Sequence, residues 1–161
     1  PVLLRPALGG AAGFSVFQSR AVPQGLAGHF GASGVANGFM PRTFYMRFML
    51  FFAVASPLAV VFLTRLALRN TNARINLPQR EYWLAPERRE ETIRFLRRQS
   101  ARFGSMLVVF LCYAHYLVVR ANATTPPGLS TPWFVGGLVV FLLSTLAWVA
   151  GLLGHCLRVP P

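Results

Sequence analysis

Lysine and aspartate are both absent from this 161-residue chain, and its side-chain charge rests on 16 arginines and four glutamates. Without lysine there is no glycine-rich phosphate loop of the kind that ends in glycine-lysine. Without aspartate no Ser/His/Asp triad can form, and the glutamates (Glu81, Glu87, Glu90 and Glu91) lie in one stretch remote from His29 and His115. Neither HExxH nor CxxC occurs, and cysteine is limited to Cys112 and Cys156. Charged residues make up only 12% of the chain, about half of what soluble proteins carry. These shortages argue against a soluble globular domain and against an enzyme. A hydrophobic content of 54% equally excludes a disordered tail.

What the chain does have is long apolar runs. A bilayer core about 30 Å thick needs roughly 20 apolar helical residues. Phe44 to Thr64 meets that length with Arg47 as its one charge, and Trp133 to Leu153 meets it with none. Phe103 to Val119 is slightly shorter, uncharged, and flanked by helix-compatible residues. Helix is the expected form, because an open strand would leave its backbone unpaired in lipid. The expected fold class is therefore all-α: an integral membrane helical bundle with three full transmembrane helices plus a partial or missing N-terminal one.

The arginines set the orientation. Ten of the 16 fall at positions 65, 69, 74, 80, 88, 89, 94, 97, 98 and 102, in the stretch that also holds every glutamate. By the positive-inside rule residues 65–102 are cytoplasmic, and the N-terminal stretch and the 120–132 connection face outside. The formal charge of +12 is thus a topology signal, with anionic headgroups as a partner for the arginines and no role for nucleic acid.

The expected organisation follows. Residues 1–42 form an external N-terminal segment, with a partial first helix at 1–17 and a glycine-rich module at 18–42. Transmembrane helices occupy 43–68 and 133–154. A cytoplasmic loop covers 69–85, a long helix 86–120 is first cytoplasmic and then transmembrane, an external loop covers 121–132, and a cytoplasmic tail 155–161.

Within the module, five glycines and two prolines in Gln18 to Arg42 predict turns rather than a helix. Two readings of its histidine stand. His29 with Phe30 either belongs to a small external cap that meets a ligand or senses pH, or simply anchors a connector at the membrane surface. In the first span Pro57 frees the carbonyl of Ala53, so a kink is expected, with the Ser56 hydroxyl or a neighbouring helix available to satisfy that carbonyl.

The stripe Ile93, Leu96, Ser100, Phe103 and Leu107 predicts one helix from Pro86 to about Val119, with proline at its first position and glutamates in its opening turns. Tyr82 and Trp83 suit the headgroup layer. Together with Arg88, Arg89, Arg94, Arg97 and Arg98 they are candidates for contact with lipid or a partner.

Cys112 and His115 share a helix face, but His155 belongs to the opposite end of the bundle, so no metal or cofactor is expected. In the last span Ala147, Ala150, Gly151 and Gly154 form a small-residue face expected to pack against a helix of this chain or of a neighbour. A protein partner or a homo-oligomer is therefore expected. Asn122-Ala-Thr124 matches a glycosylation sequon, a short motif that arises often by chance.

Two stretches resemble a known group. Val22-Pro23-Gln24-Gly25-Leu26-Ala27-Gly28-His29-Phe30-Gly31, followed by Gly34 and Asn37-Gly38-Phe39, resembles an external module of bacterial multi-helix membrane proteins. That module defines a family of unknown function and is shared with Sdp-type toxin-immunity and signalling membrane proteins. Ile75-Asn76-Leu77-Pro78 with Tyr82-Trp83-Leu84-Ala85-Pro86-Glu87-Arg88-Arg89 is similar to the cytoplasmic loop of its short proteobacterial members. The chain departs from the pattern in Val22, where leucine is usual, and in its degenerate or missing preceding helix.

The resemblance implies a bacterial inner (cytoplasmic) membrane, multi-pass topology, and an external site at His29, Phe30, Gly31, Gly34, Asn37 and Gly38. The expected function is non-catalytic recognition of a ligand or peptide, or signalling, in an immunity-like manner. An accessory subunit of a larger respiratory or photosynthetic complex is the alternative. A small transporter comes third, because the polar residues of the spans are few and scattered.

Overall fold

Each apolar run becomes one long helix: α1 over Arg42–Arg69, α3 over Arg89–Ala121 and α4 over Thr131–Leu157, with a four-residue helix α2 at Arg80–Trp83 between the first two. All three long helices are long and apolar enough to cross a membrane. The computed structural model describes residues 4, 6, 8–10, 13, 24–69 and 76–158. Most of the expected first helix 1–17, the start of the module at 18–23, loop residues 70–75 and the end of the tail at 159–161 lie outside the described residues. The described members of 4–13 are helical.

The N-terminal module corrects the all-α expectation. β1 (Gly25–Phe30) and β2 (Ala36–Pro41) form an antiparallel hairpin paired Gly25↔Pro41, Leu26↔Met40, Ala27↔Phe39, His29↔Gly38 and Phe30↔Ala36. The pairing skips Gly28 on one strand and Asn37 on the other, so two bulges offset each other and the register recovers. None of these twelve residues is β-branched and they do not alternate regularly in polarity, so the sequence carries little strand signal. Tertiary contact compensates: Leu26 and Ala27 are fully buried, and Leu26 packs with Tyr45 of α1 and Val119 of α3.

Helices α1 and α3 form the main pairing and cross tightly at Gly104. A Cβ on Gly104 would lie 3.3 Å from Leu4 Cδ1 and 3.5 Å from the Pro57 carbonyl oxygen. A second cluster, Leu4, Val61 and Val108, packs just beside this crossing. Pro57 sits inside α1, which continues through it. The Ser56 hydroxyl donates to the Phe52 carbonyl at 2.7 Å and not to that of Ala53. The arginine-rich end also differs from expectation: α3 begins at Arg89, because Arg88 and Arg89 N–H both donate to Ala85 O and Pro86 falls within that turn.

Helix α4 lies along α3 through stacked pairs, Phe110–Phe141 at 4.6 Å and Phe103–Trp148 at 5.1 Å. Its one buried residue is Cys156. The small face does not make the contact: Ala147, Ala150 and Gly151 are exposed, and a Cβ on Gly151 or Gly154 would meet nothing within 4 Å. The close approach is at Gly137, where a Cβ would run into the Tyr113 ring. Tyr113 in turn donates its hydroxyl to the Trp133 carbonyl at 2.7 Å. Gly137→Ala should therefore displace Tyr113 and destabilise the α3–α4 pair by about 1–2 kcal/mol. The thermal midpoint in detergent reads this, with Gly136→Ala, which meets nothing within 4 Å, as the silent control.

Candidate functional site

The hairpin is held to the helices at three levels. At its base, Arg42 N–H donates to the Gln24 carbonyl at 2.9 Å. Midway, the side-chain amide of Asn122 meets both backbone groups of Ala27: Ala27 N–H donates to Asn122 Oδ1 at 2.7 Å, and Asn122 Nδ2 donates to Ala27 O at 2.9 Å. Ala27 turns these groups away from β2, so Asn122 closes the open edge of β1 as a neighbouring strand would. At the tip, Leu129 N–H donates to Gly34 O at 2.9 Å, and Val35 forms an isolated bridge with Gly128.

Beneath the hairpin, Tyr45 and His115 are both buried. The tyrosine hydroxyl and His115 Nδ1 are hydrogen-bonded at 3.1 Å, and the rings stack with centroids 5.7 Å apart. Tyr45 also packs against Leu26 and Val119, so this buried polar pair supports the hairpin through the tyrosine.

Two of the six hairpin candidates form one polar pair. The bulge that leaves Asn37 outside the strand register lets its side chain reach His29, with Nδ1 and Oδ1 2.6 Å apart. An amide oxygen carries no proton, so His29 Nδ1–H donates to it. Gly38 lies opposite His29 without a side chain: a Cβ there would be 2.9 Å from His29 Cβ. Gly31 and Gly34 shape the turn, with Gly31 N–H donating to Val35 O and Gly34 N–H to Gly31 O. Phe30 is half-buried, whereas Val35 and Phe39 are 63% and 65% exposed. Val35 and Phe39 are not among the sequence candidates: nothing in the chain distinguishes Val35 from other apolar residues, and Phe39 enters only as the aromatic that ends the Asn37-Gly38-Phe39 motif.

The other candidates divide at the far end of the bundle. Trp83 is a strut: its Nε1–H donates to the Cys156 carbonyl at 2.7 Å, and its ring lies 4.9 Å from His155, which also stacks on Phe95 at 4.1 Å. Tyr82 packs edge-on against Trp83 and carries the Arg88 guanidinium 4.0 Å above its ring. Arg89 is the first residue of α3. Arg94, Arg97 and Arg98 instead line a cleft of about 500 Å³ together with Arg65 of α1. In the sequence Arg65 is only a topology charge, since its placement depends on how α1 and α3 cross.

Among the described residues no three His, Cys, Asp or Glu side chains gather to hold a metal ion. Asn122 is 9% exposed with its amide engaged on both sides, so the sequon reading gives way to a structural role. Comparison with protein-family models, with curated proteins and with solved structures finds no match to this chain.

Proposed function

We propose that this chain is a non-catalytic bacterial inner-membrane protein that recognises a peptide or similar ligand through its external hairpin, as immunity and signalling proteins do. One observation carries the reading. The hairpin is braced at base, middle and tip, yet its His29–Asn37 pair and the apolar side chains of Val35 and Phe39 remain exposed. Ordered backbone beneath exposed polar and apolar side chains lowers the entropy cost of binding. The arginine-rich end then faces the cytoplasm, in line with the charge bias of the chain.

The test starts in intact cells. Ser33→Cys, at the hairpin turn, should react with a membrane-impermeant maleimide before permeabilisation. A photo-crosslinking side chain at Phe39 should then give a discrete adduct. The pair His29→Ala with Asn37→Leu removes two polar contacts worth about 1 kcal/mol each, so adduct yield should fall about tenfold or more. Labelling only after permeabilisation, or an adduct indifferent to both substitutions, would sink the proposal.

A second reading, an accessory subunit of a larger complex, draws on α4. Its outward face combines Gly136, Gly151 and Gly154, each with open space where a Cβ would sit, and such a face suits close helix approach. Extraction in gentle detergent with a fixed set of companions, crosslinked through α4 and not through the hairpin, would favour it.

A further inference from the structure

Four arginines from two helices line one cleft at the end of the bundle opposite the hairpin: Arg65 from α1, and Arg94, Arg97 and Arg98 from α3. The helix register brings them together. Pro57 faces Gly104, and about 12 Å further along α1 Arg65 comes level with the turn of α3 that holds Arg97 and Arg98. Among the described residues no carboxylate lines the cleft. Glu90 approaches Arg94 at 3.9 Å, but both side chains are largely exposed, 87% and 62%, so that pair neutralises little. Like charges gathered beside apolar surface favour an anion, and guanidinium forks match phosphate oxygens two at a time.

The floor of the same cleft is apolar, built from Leu4, Leu58 and Val61, and it continues into the Leu4–Val61–Val108 cluster. A small water-soluble phosphate would leave that floor bare, whereas an acyl chain covers it. Arg65 ends the uncharged stretch of α1, and Arg97 and Arg98 lie within two turns of Arg102, where that of α3 ends, which is the headgroup level if these helices cross a bilayer. We infer that this cleft binds one anionic glycerophospholipid. Its phosphodiester lies among Arg65, Arg97 and Arg98, and an acyl chain runs along Leu4, Leu58 and Val61. The inference rests on the membrane reading above and adds a ligand class and a site to it.

The experiment uses the full chain, released from membranes in mild detergent and offered phosphatidylglycerol or phosphatidylcholine, with bound lipid counted by native mass spectrometry. Phosphatidylglycerol should be retained about tenfold better than phosphatidylcholine, as one molecule per chain. Glycerol phosphate, which lacks acyl chains, should not displace it at matched concentration.

Arg65→Gln with Arg97→Gln and Arg98→Gln should abolish the preference, and Arg97→Lys with Arg98→Lys should reduce it at constant charge. Arg69→Gln with Arg80→Gln and Arg102→Gln, an equal charge loss outside the cleft, should leave it intact. Equal loss in both triple variants, no preference in the wild type, or displacement by glycerol phosphate overturns the lipid site. Flotation separates this failure from that of the membrane reading. A chain that floats with pure phosphatidylcholine vesicles but shows no anionic preference loses only the site, and one that floats with no vesicle loses both.

Discussion

Asn122→Leu should release the hairpin from the helices while leaving the helices themselves folded. Leucine keeps the branched four-atom outline of asparagine, though it is bulkier, and offers neither donor nor acceptor to Ala27. Both backbone groups of a fully buried residue would then lose their partner. Each unsatisfied buried group costs about 1–3 kcal/mol, so the local penalty is about 2–6 kcal/mol.

Hydrogen exchange reads this directly. Protection of the Ala27 amide and of the neighbouring strand should fall on the order of a hundredfold, with the central amides of α1 and α3 unchanged. Asn122→Asp, which keeps the acceptor and loses the donor, should fall between. Unchanged protection at Ala27 in the leucine variant would mean that Leu26 burial alone holds the strand.

The second large effect belongs to Gly34. Its φ of +82° lies in the left-handed region, where a side chain costs about 1–2 kcal/mol. A Cβ at that position would also collide with the Leu129 carbonyl oxygen, which is backbone and cannot rotate aside. Gly34→Ala should therefore lift the turn off the α3–α4 connection, breaking the Leu129 N–H to Gly34 O bond and the Val35–Gly128 bridge. The combined loss is about 2–4 kcal/mol. Exchange at the Leu129 amide and crosslinking between Ser33 and Ser130 cysteine variants report the separation. Gly31→Ala is the control, because a Cβ there meets its nearest atom at an ordinary 3.6 Å. Should the two alanine variants behave alike, the docked turn is not what positions the hairpin.

The two substitutions bear on function in different ways. Asn122→Leu removes the brace but leaves His29, Asn37 and Phe39 present, so binding through the hairpin should weaken through lost preorganisation rather than lost contacts. Gly34→Ala disturbs the tip alone, so the His29–Asn37 pair, held by its own bulges, should persist.

Several features are legible in the order of residues alone. The runs Phe44 to Thr64, Phe103 to Val119 and Trp133 to Leu153 announce α1, α3 and α4, since length and unbroken hydrophobicity are local properties that a backbone expresses through its own i to i−4 bonds. The need for glycine in the turn is present as composition, although which glycine matters is not.

Composition hides the hairpin because Gly25–Phe30 and Ala36–Pro41 have little strand propensity and owe their form to Asn122, Tyr45 and Val119, residues distant in sequence. The small-residue motif of α4 suggests a contact at Ala147, Ala150, Gly151 and Gly154 with a helix of this chain or of a neighbour; within the chain, aromatic stacking on α3 puts the close approach at Gly137 instead. Arg65 joins Arg94, Arg97 and Arg98 only through the crossing at Pro57 and Gly104.

By itself, then, the sequence determined the helices, their apolar extent and the one-sided placement of charge, because these follow from near neighbours along the chain. The tertiary structure alone decided the strands, the His29–Asn37 pair and the arginine cleft. Each of these depends on which distant backbone groups and side chains meet, and that is set by how helices cross rather than by how residues follow one another.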